Sequence, residues 1–322
     1  MIDLSIIIVS WNAKKYLVEC LQSIRATAQG LAYEVVVVDN ASSDGSPEAV
    51  KQDFPGVWLI ETGANLGFAR ANNLGVGRAR GRYCAFVNSD VVVLPGCFQA
   101  LLAFMDAHPE VGLAGPRLLN SDRTFQPSCR AFPTLGRHLA RALFLNRSLA
   151  DASYQGNTAR PVEVLAGSFW IARREAVEAV GKLDEQFFFY AEDLDWCRRF
   201  RQGGWSVVFF PGAQSIHYGG GSSSGEPTRF SLEWQKASLQ LWRKHYGRVI
   251  TAAYLVITLL HNLLRLGLYV GVRCTRPGKK ALANQKVEQH WKAVQWVFSP
   301  SEWARPRPAM STSPEATLET GS

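Results

Sequence analysis

Apolar and polar positions alternate between two textures along the N-terminal third of the chain. Short continuous apolar runs, Leu4–Val9, Glu34–Val38, Val57–Glu61 and Tyr83–Val87, are rich in Val and Ile. Such runs predict strands buried on both faces. Between and after them, Tyr16–Ala26, Ser46–Asp53, Phe68–Ala79 and Gly96–Ala107 carry apolar residues at helical spacing, with Pro47 placed for a first helical turn. The alternation predicts an α/β fold with a doubly wound, mostly parallel sheet. Ligands bind such sheets beyond the carboxyl ends of the strands. Here those ends carry Ser10, Asp39, Asn40 and Asp90.

The second half is less regular. Val111–Pro116, Val162–Ile171 and Ser206–Phe210 read as strands, and Arg173–Val180, Glu192–Gln202 and Leu232–Tyr246 as helices. Residues from Arg137 to Ala159 form a polar insertion with no assignable element, and Gly219–Gly225 reads as a mobile Gly/Ser loop. Val249–Val272 is long enough to span a bilayer. His261, Asn262 and Arg265 interrupt it, and Arg273, Arg276, Lys279 and Lys280 follow. The pattern favours an amphipathic helix lying on a membrane over a spanning or a soluble packing helix. The expected organisation is a globular domain over 1–246, a membrane-associating helical segment over 247–298 and a disordered tail over 299–322.

Composition narrows the classes. The chain has 322 residues, 47% hydrophobic and 19% charged, which excludes a disordered chain, a collagen-like repeat and a coiled coil. A formal charge of +8 fits an anionic partner: a phosphorylated substrate, an acidic membrane surface or nucleic acid. No basic patch interleaved with aromatics supports the last of these. The six cysteines form no CxxC pair and no zinc spacing, so buried free thiols in a reducing compartment are expected. The start, MIDLSIIIVSWN, has an acidic residue where a signal peptide needs basic ones, which reads as a cytoplasmic protein.

Four segments could carry chemistry. Asp39, in VVVVDNASSDGS, could bond a base or ribose, or belong to a plain β-turn. Asp90, in FVNSDVVV, offers one hard oxygen ligand for a divalent cation on a diphosphate. Asp193, in FFFYAEDLDWCRR, could take a proton as general base or cap the following helix. Asp195 pairs better with Arg198 or Arg199. His217 could ligate a metal, contact a diphosphate or be structural. Arg229, Lys244 and Arg248 could meet phosphate or form a solvated face. NLGFARANNLG lacks the spacing of a dinucleotide fingerprint, and no P-loop is present.

Taken in order, SIIIVSWNAKKYLVECLQSI, VVVVDNASSDGS, NLGFARANN, FVNSD, LAGSFWIARREA, LDEQFFFYAEDLDWCRR and HYGGGSS resemble family 2 inverting glycosyltransferases of the GT-A fold. The similarity runs from Leu4 to Tyr246, and the pattern is most similar to the rhamnosyltransferase-like branch that builds bacterial surface polysaccharide. The resemblance implies Asp193 as general base, and Asp90 with His217 as ligands of Mg²⁺ or Mn²⁺. It implies substrate contacts from Ser10, Asn12, Asp39, Asp44, Asn65, Arg70, Asn88, Gly167 and Glu192. The family's metal triad here reads Asn88-Ser89-Asp90, with one carboxylate instead of more. The processive signature QxxRW is missing, so one or a few sugars per engagement are expected. The implied partners are a nucleotide-diphosphate sugar donor, a glycan or polyprenyl-diphosphate-linked acceptor, and the cytoplasmic face of the membrane, with no nucleic acid. The competing readings are a sugar-phosphate nucleotidyltransferase, although SWNAKKYL lacks the glycines expected after its first strand, and an inactive sugar-binding membrane scaffold.

Overall fold

The computed structural model describes residues 2–145, 156–219 and 227–303. β1 (Leu4–Ser10), α1 (Lys14–Thr27), β2 (Tyr33–Asp39), α2 (Ser46–Asp53), β3 (Trp58–Glu61), α3 (Phe68–Arg78) and β4 (Tyr83–Asn88) follow the expected alternation. The four strands lie in the order β3-β2-β1-β4 and are all parallel. Parallel neighbours need crossovers, which the helices supply. Successive side chains of β1 point to opposite faces. Ile6 and Ile8 pack with Leu17, Leu21 and Ile24 of α1, whereas Ile7 packs with Val76 of α3. A Cβ at Gly75 would stand 2.4 Å from Ile7 Cγ2, so only glycine lets α3 sit this close to the sheet.

Beyond β4 come β5 (Val91–Val93), α4 (Cys97–Ala107), β6 (Val111–Leu119), β7 (Phe125–Gln126), β8 (Cys129–Arg130), α5 (Leu135–Ala142), β9 (Arg160–Pro161), β10 (Val164–Leu165), β11 (Phe169–Arg173), α6 (Arg174–Val180), α7 (Glu192–Gln202) and β12 (Ser206–His217). β11 enters the sheet antiparallel between β4 and β6, and β6 pairs β12 in parallel. The expected strand over 162–171 is two strands. The Trp170 indole N–H donates to Leu165 O at 3.3 Å across the turn that separates them. β12 runs past Phe210, through a bulge, to His217, where it pairs antiparallel with β5. Part of the expected polar insertion is α5; residues 146–155 lie outside the described residues, as does the expected Gly/Ser loop after Gly219.

α8 (Pro227–His245), α9 (Arg248–Thr275), α10 (Lys280–Val297) and α11 (Pro300–Trp303) form a helical layer. The turn at Pro277–Lys279 reverses α9 into α10. Leu239, Trp242, Tyr254 and Trp296 make a core of their own. α9 is long and apolar enough to cross a membrane, but its amphipathicity is inverted. Thr251, Tyr254, Thr258 and Asn262 are buried, while Val249, Val256, Leu263 and Leu268 are exposed. Trp303 donates to Trp296 O at 3.0 Å, and the tail after it lies outside the described residues. All six cysteines are free, five of them buried and Cys274 exposed.

Candidate active site

The carboxyl ends of β1 and β2 place Ser10 directly opposite Asp39. Asp39 Oδ1 accepts from Ser42 N–H at 2.8 Å. Asp39 Oδ2 and Ser10 Oγ are buried with no hydrogen-bond partner among the described residues. Burial, with the Asp44 and Glu61 charges nearby, raises the Asp39 carboxyl above its ordinary range. Orphaned buried polar atoms side by side are costly unless a ligand meets them. A nucleoside offers both donors and acceptors for them.

Asn12 and Asp44 brace this edge from outside. Asn12 Oδ1 accepts from Ser43 N–H at 2.8 Å, tying the loop after β1 to the loop after β2. Asp44 accepts from Lys14 N–H at 2.7 Å and Ser46 N–H at 3.1 Å. Burial works against its ionisation, but these bonds and the Ser46 hydroxyl outweigh it and hold the carboxyl below the usual range. Asn65 is buried and accepts from Gly67 N–H at 3.0 Å. Arg70 stands on the exposed side of α3, 3.7 Å from Glu185.

Asp90 and His217 are 127 residues apart in sequence, yet His217 Nε2 lies 3.3 Å from Asp90 Oδ1. The short ladder between β5 and β12 brings them together, and Tyr218 N–H donates to Asp90 O at 3.0 Å. Gln126 fixes the imidazole. Its amide nitrogen donates to Asn120 Oδ1 at 2.9 Å and His217 O at 3.1 Å, so its oxygen meets Nδ1 at 2.7 Å as acceptor. In the neutral ring the proton then sits on Nδ1, and the Nε2 lone pair faces a carboxylate oxygen. Two acceptors face to face suit a shared cation. Among the described residues no third His, Cys, Asp or Glu joins them. One carboxylate and one imidazole suit a cation whose other ligands are phosphate oxygens and water.

Asp193 reaches the same edge from the other side. Asn88 N–H donates to Ser168 O at 3.0 Å. A Cβ on the adjacent Gly167 would stand 3.8 Å from Asp193 Cβ. The chain of contacts from Asn88 through Ser168 and Gly167 to Asp193 puts the base candidate beside the strand end that carries Asp90. Tyr190 and Ala191 both have positive φ, 74° and 65°, just before α7. Such backbone is sterically costly for residues with a Cβ and needs support from its surroundings. Ala191 is the N-cap, so Glu192 and Asp193 occupy the first turn and Asp193 does not cap the helix. Both acids are buried. Arg130 forms an ion pair with Asp193 Oδ2, and Leu194 N–H donates to Oδ1 at 2.8 Å. A carboxylate accepts about four hydrogen bonds, so room remains for a substrate hydroxyl.

The loop that delivers Asp193 rests on α3. Phe68 N–H donates to Phe188 O at 2.7 Å. Gly67 has φ +83°, and a Cβ there would stand 2.4 Å from Phe188 O. We expect Gly67→Ala to destabilise the fold by about 2 kcal/mol or more and to lower turnover, since the Phe188 backbone must move. Equilibrium denaturation and a transfer assay on the purified variant check this.

Other expectations resolve differently. Asp195 pairs with Arg199 at 2.8 Å and also takes Lys244 at 2.6 Å and His245 at 2.7 Å. Burial opposes its ionisation, but these partners hold the carboxyl down at about 2. Lys244 also meets Asp184 at 2.6 Å, so it serves this internal network instead of a phosphate. Arg248 opens α9 on the exposed surface, and the Arg229 side chain lies outside the described residues. Sequence reasoning missed Arg130 and Gln126. Both sit on two-residue strands, which show no periodicity to read.

Comparison with known proteins places the chain in a family. The model of the family described as glycosyl transferase family 2 matches residues 5–181. An N-acetylglucosaminyl-diphospho-decaprenol L-rhamnosyltransferase of Mycobacterium tuberculosis is 32% identical over 263 residues, which cover 76% of this chain and 85% of that protein. Rhamnosyltransferase WbbL of Escherichia coli is 24% identical over 223 residues, 66% of this chain and 82% of that one. The mannosyltransferase PcManGT of Pyrobaculum calidifontis, solved with GDP-Man and Mn²⁺, superposes with a TM-score of 0.54 at 17% identity, covering 93% of this chain and 85% of that chain. GalNAc-T7, solved with UDP, GalNAc and Mn²⁺, gives 0.54 at 14% identity, covering 81% and 55%. These neighbours carry the GT-A architecture, and the sequence match carries the activity: the chain belongs to glycosyl transferase family 2 and is a glycosyltransferase.

Proposed function

We propose that the enzyme transfers L-rhamnose, with inversion, from dTDP-rhamnose to a hydroxyl of a polyprenyl-diphosphate-linked glycan at the cytoplasmic face of the membrane. The observation that carries this reading is the convergence of Asp193, through Gly167 and Ser168, on the strand end that holds Asp90 and His217. The choice of sugar and acceptor leans on the relatives, whose names include a decaprenol-linked rhamnosyltransferase and the dTDP-rhamnosyl transferase RfbF of Shigella flexneri.

In this mechanism Asp39 and Ser10 bind the nucleoside at the ends of β2 and β1, with Asn12 and Asp44 holding their loops in place. Asn65 and Arg70 extend the donor side, and Asn88, Gly167 and Glu192 line the wall between donor and acceptor. Asp90 and His217 would hold Mg²⁺ or Mn²⁺, which when bound neutralises charge on the leaving diphosphate. Asp193, oriented by Arg130, takes the proton from the acceptor hydroxyl as its oxygen attacks the anomeric carbon. The C1–O bond to the diphosphate breaks on the opposite side, so configuration inverts. One positioned base suffices because the leaving group needs no proton.

The exposed apolar face of α9 fits the membrane part of this reading. α10, with Lys280, Lys286, Glu288 and Lys292, packs along α9, and burying that helix in hydrocarbon is unfavourable. α9 therefore lies in the interface with Val249, Val256, Leu263 and Leu268 toward lipid. A direct check is a panel of UDP, dTDP and GDP, each with and without Mn²⁺, read by thermal unfolding and followed by donor hydrolysis. We expect dTDP with Mn²⁺ to stabilise most, by about 3 kcal/mol at a hundredfold excess over Kd, and dTDP-rhamnose to be the donor consumed. Preference for GDP or UDP would refute the donor assignment.

A further inference from the structure

A cavity of about 380 Å³ lies between α5, α8, α9 and α10. Its size suits a small ligand. Its lining is basic: Arg141, Arg265 and Lys286, together with His138, His261 and His290, and no Asp or Glu. Among the described residues none of the three permanent cations has a carboxylate within ion-pair distance, whereas Lys244, a few turns away, has two. Gathering like charges in a partly buried place is unfavourable unless an anion joins them. Burial and the neighbouring Arg141 charge already pull the Arg265 guanidinium below its ordinary range.

The polar groups are ordered but not exhausted. His138 Nε2 meets Thr258 Oγ1 at 3.0 Å, and His290 Nδ1 meets Asn262 Oδ1 at 2.9 Å. His261 Nδ1 is buried without a hydrogen-bond partner among the described residues. Burial and the adjacent arginines push His261 down to about 3, and burial with Arg265 and Lys286 pushes His290 to about 4. Both rings are neutral at pH 7. Asn262 Nδ2 donates to Gln235 Oε1 and Thr258 O, so Asn262 Oδ1 accepts the one N–H of His290, and His261 is the ring of the two that can donate to an anion. Arg265 donates to Arg141 O at 2.8 Å, Ala142 O at 3.2 Å and His261 O at 3.5 Å and lies over the Phe144 ring at 4.3 Å, which seats α5 on α9; among the described residues its Nε has no hydrogen bond.

The cavity also touches the catalytic wall. Leu194, next to Asp193, lines it, and so does Trp234, whose ring centre is 6.0 Å from the Arg130 guanidinium. Arg130 in turn holds Asp193. On its far side α9 exposes Leu263, Leu264 and Leu268. We propose that this cavity is the acceptor-diphosphate site: Arg141, Arg265 and Lys286 bind the diphosphate of a lipid-linked acceptor, its glycan pointing to Asp193 and its isoprenoid tail following the outer face of α9. The assignment rests on the acceptor reading above and adds where and by what that acceptor is held.

The test uses the full chain in detergent with EDTA present, titrated with farnesyl diphosphate and with inorganic pyrophosphate. Farnesyl diphosphate is expected to bind roughly tenfold or more tighter than pyrophosphate, and saturating dTDP should not displace it. Equal affinities would overturn the lipid source of the diphosphate, and displacement by dTDP would place binding in the donor cleft and overturn the site. Arg265→Gln and Lys286→Gln should each weaken farnesyl diphosphate roughly tenfold or more, with dTDP affinity and donor hydrolysis unchanged. Among the described residues Lys286 bonds only to Gln289 Oε1, at 3.0 Å, so its variant is the safer one should Arg265→Gln loosen α5. Wild-type affinity in Lys286→Gln would overturn the proposal. A wild-type enzyme that binds farnesyl diphosphate but hydrolyses no sugar nucleotide would instead contradict the donor reading, which separates the two failures.

Discussion

Asp193→Asn should lower turnover by about 10²–10⁴-fold, the range a positioned general base supplies, while leaving nucleotide affinity close to that of the unaltered enzyme. The carboxamide keeps the shape of the side chain and can still accept from Leu194 N–H, but it cannot take up the acceptor proton. It also loses the ion pair with Arg130, so a small loss of stability accompanies the loss of rate. Nothing in the substitution reaches Ser10, Asp39 or the Asp90–His217 pair, which belong to other strand ends. Transfer rate and dTDP titration on the same preparation separate the two effects. Near-normal turnover would remove Asp193 from the mechanism.

Asp90→Asn should abolish the strengthening of dTDP binding by Mn²⁺ and reduce turnover by about 10²–10³-fold, since a leaving diphosphate loses several kcal/mol of charge neutralisation. Gln126→Leu provides a graded companion. It leaves both ligands in place but frees the His217 ring to rotate, and loss of such an outer partner costs about 10–100-fold in metal affinity. Manganese titration of the nucleotide complex by electron paramagnetic resonance reads both variants. Equal Mn²⁺ affinity in the unaltered protein and Asp90→Asn would rule out this pair as the cation site.

The first four strands and their helices are legible from sequence because β-branched runs buried on both faces leave a strong, local signal. Ser46–Asp53 and Glu192–Gln202 match the structure to the residue. Asp39 and Asp90 are legible for the same reason, since each follows such a strand. The meeting of Asp90 with His217 is not local. It depends on β12 continuing past its bulge to reach β5, and no pattern in 206–217 announces that pairing. Arg130 and Gln126 are hidden for a related reason. Two-residue strands gain their conformation from their partners, so their sequence carries no period. The helical layer shows the opposite failure. The apolar pattern of α9 is plain, yet the pattern alone does not show that its polar face, Thr251, Thr258 and Asn262, is the one turned inward. Only the placement of α5, α8 and α10 decides that.

The most direct measurement is a crystal structure of Asp193→Asn with Mn²⁺ and dTDP-rhamnose. The account predicts a metal between Asp90 and His217, the base against Asp39 and Ser10, and the anomeric carbon open to residue 193 on the face away from the diphosphate. A nucleotide bound elsewhere, or residue 193 on the diphosphate side of the sugar, would contradict it.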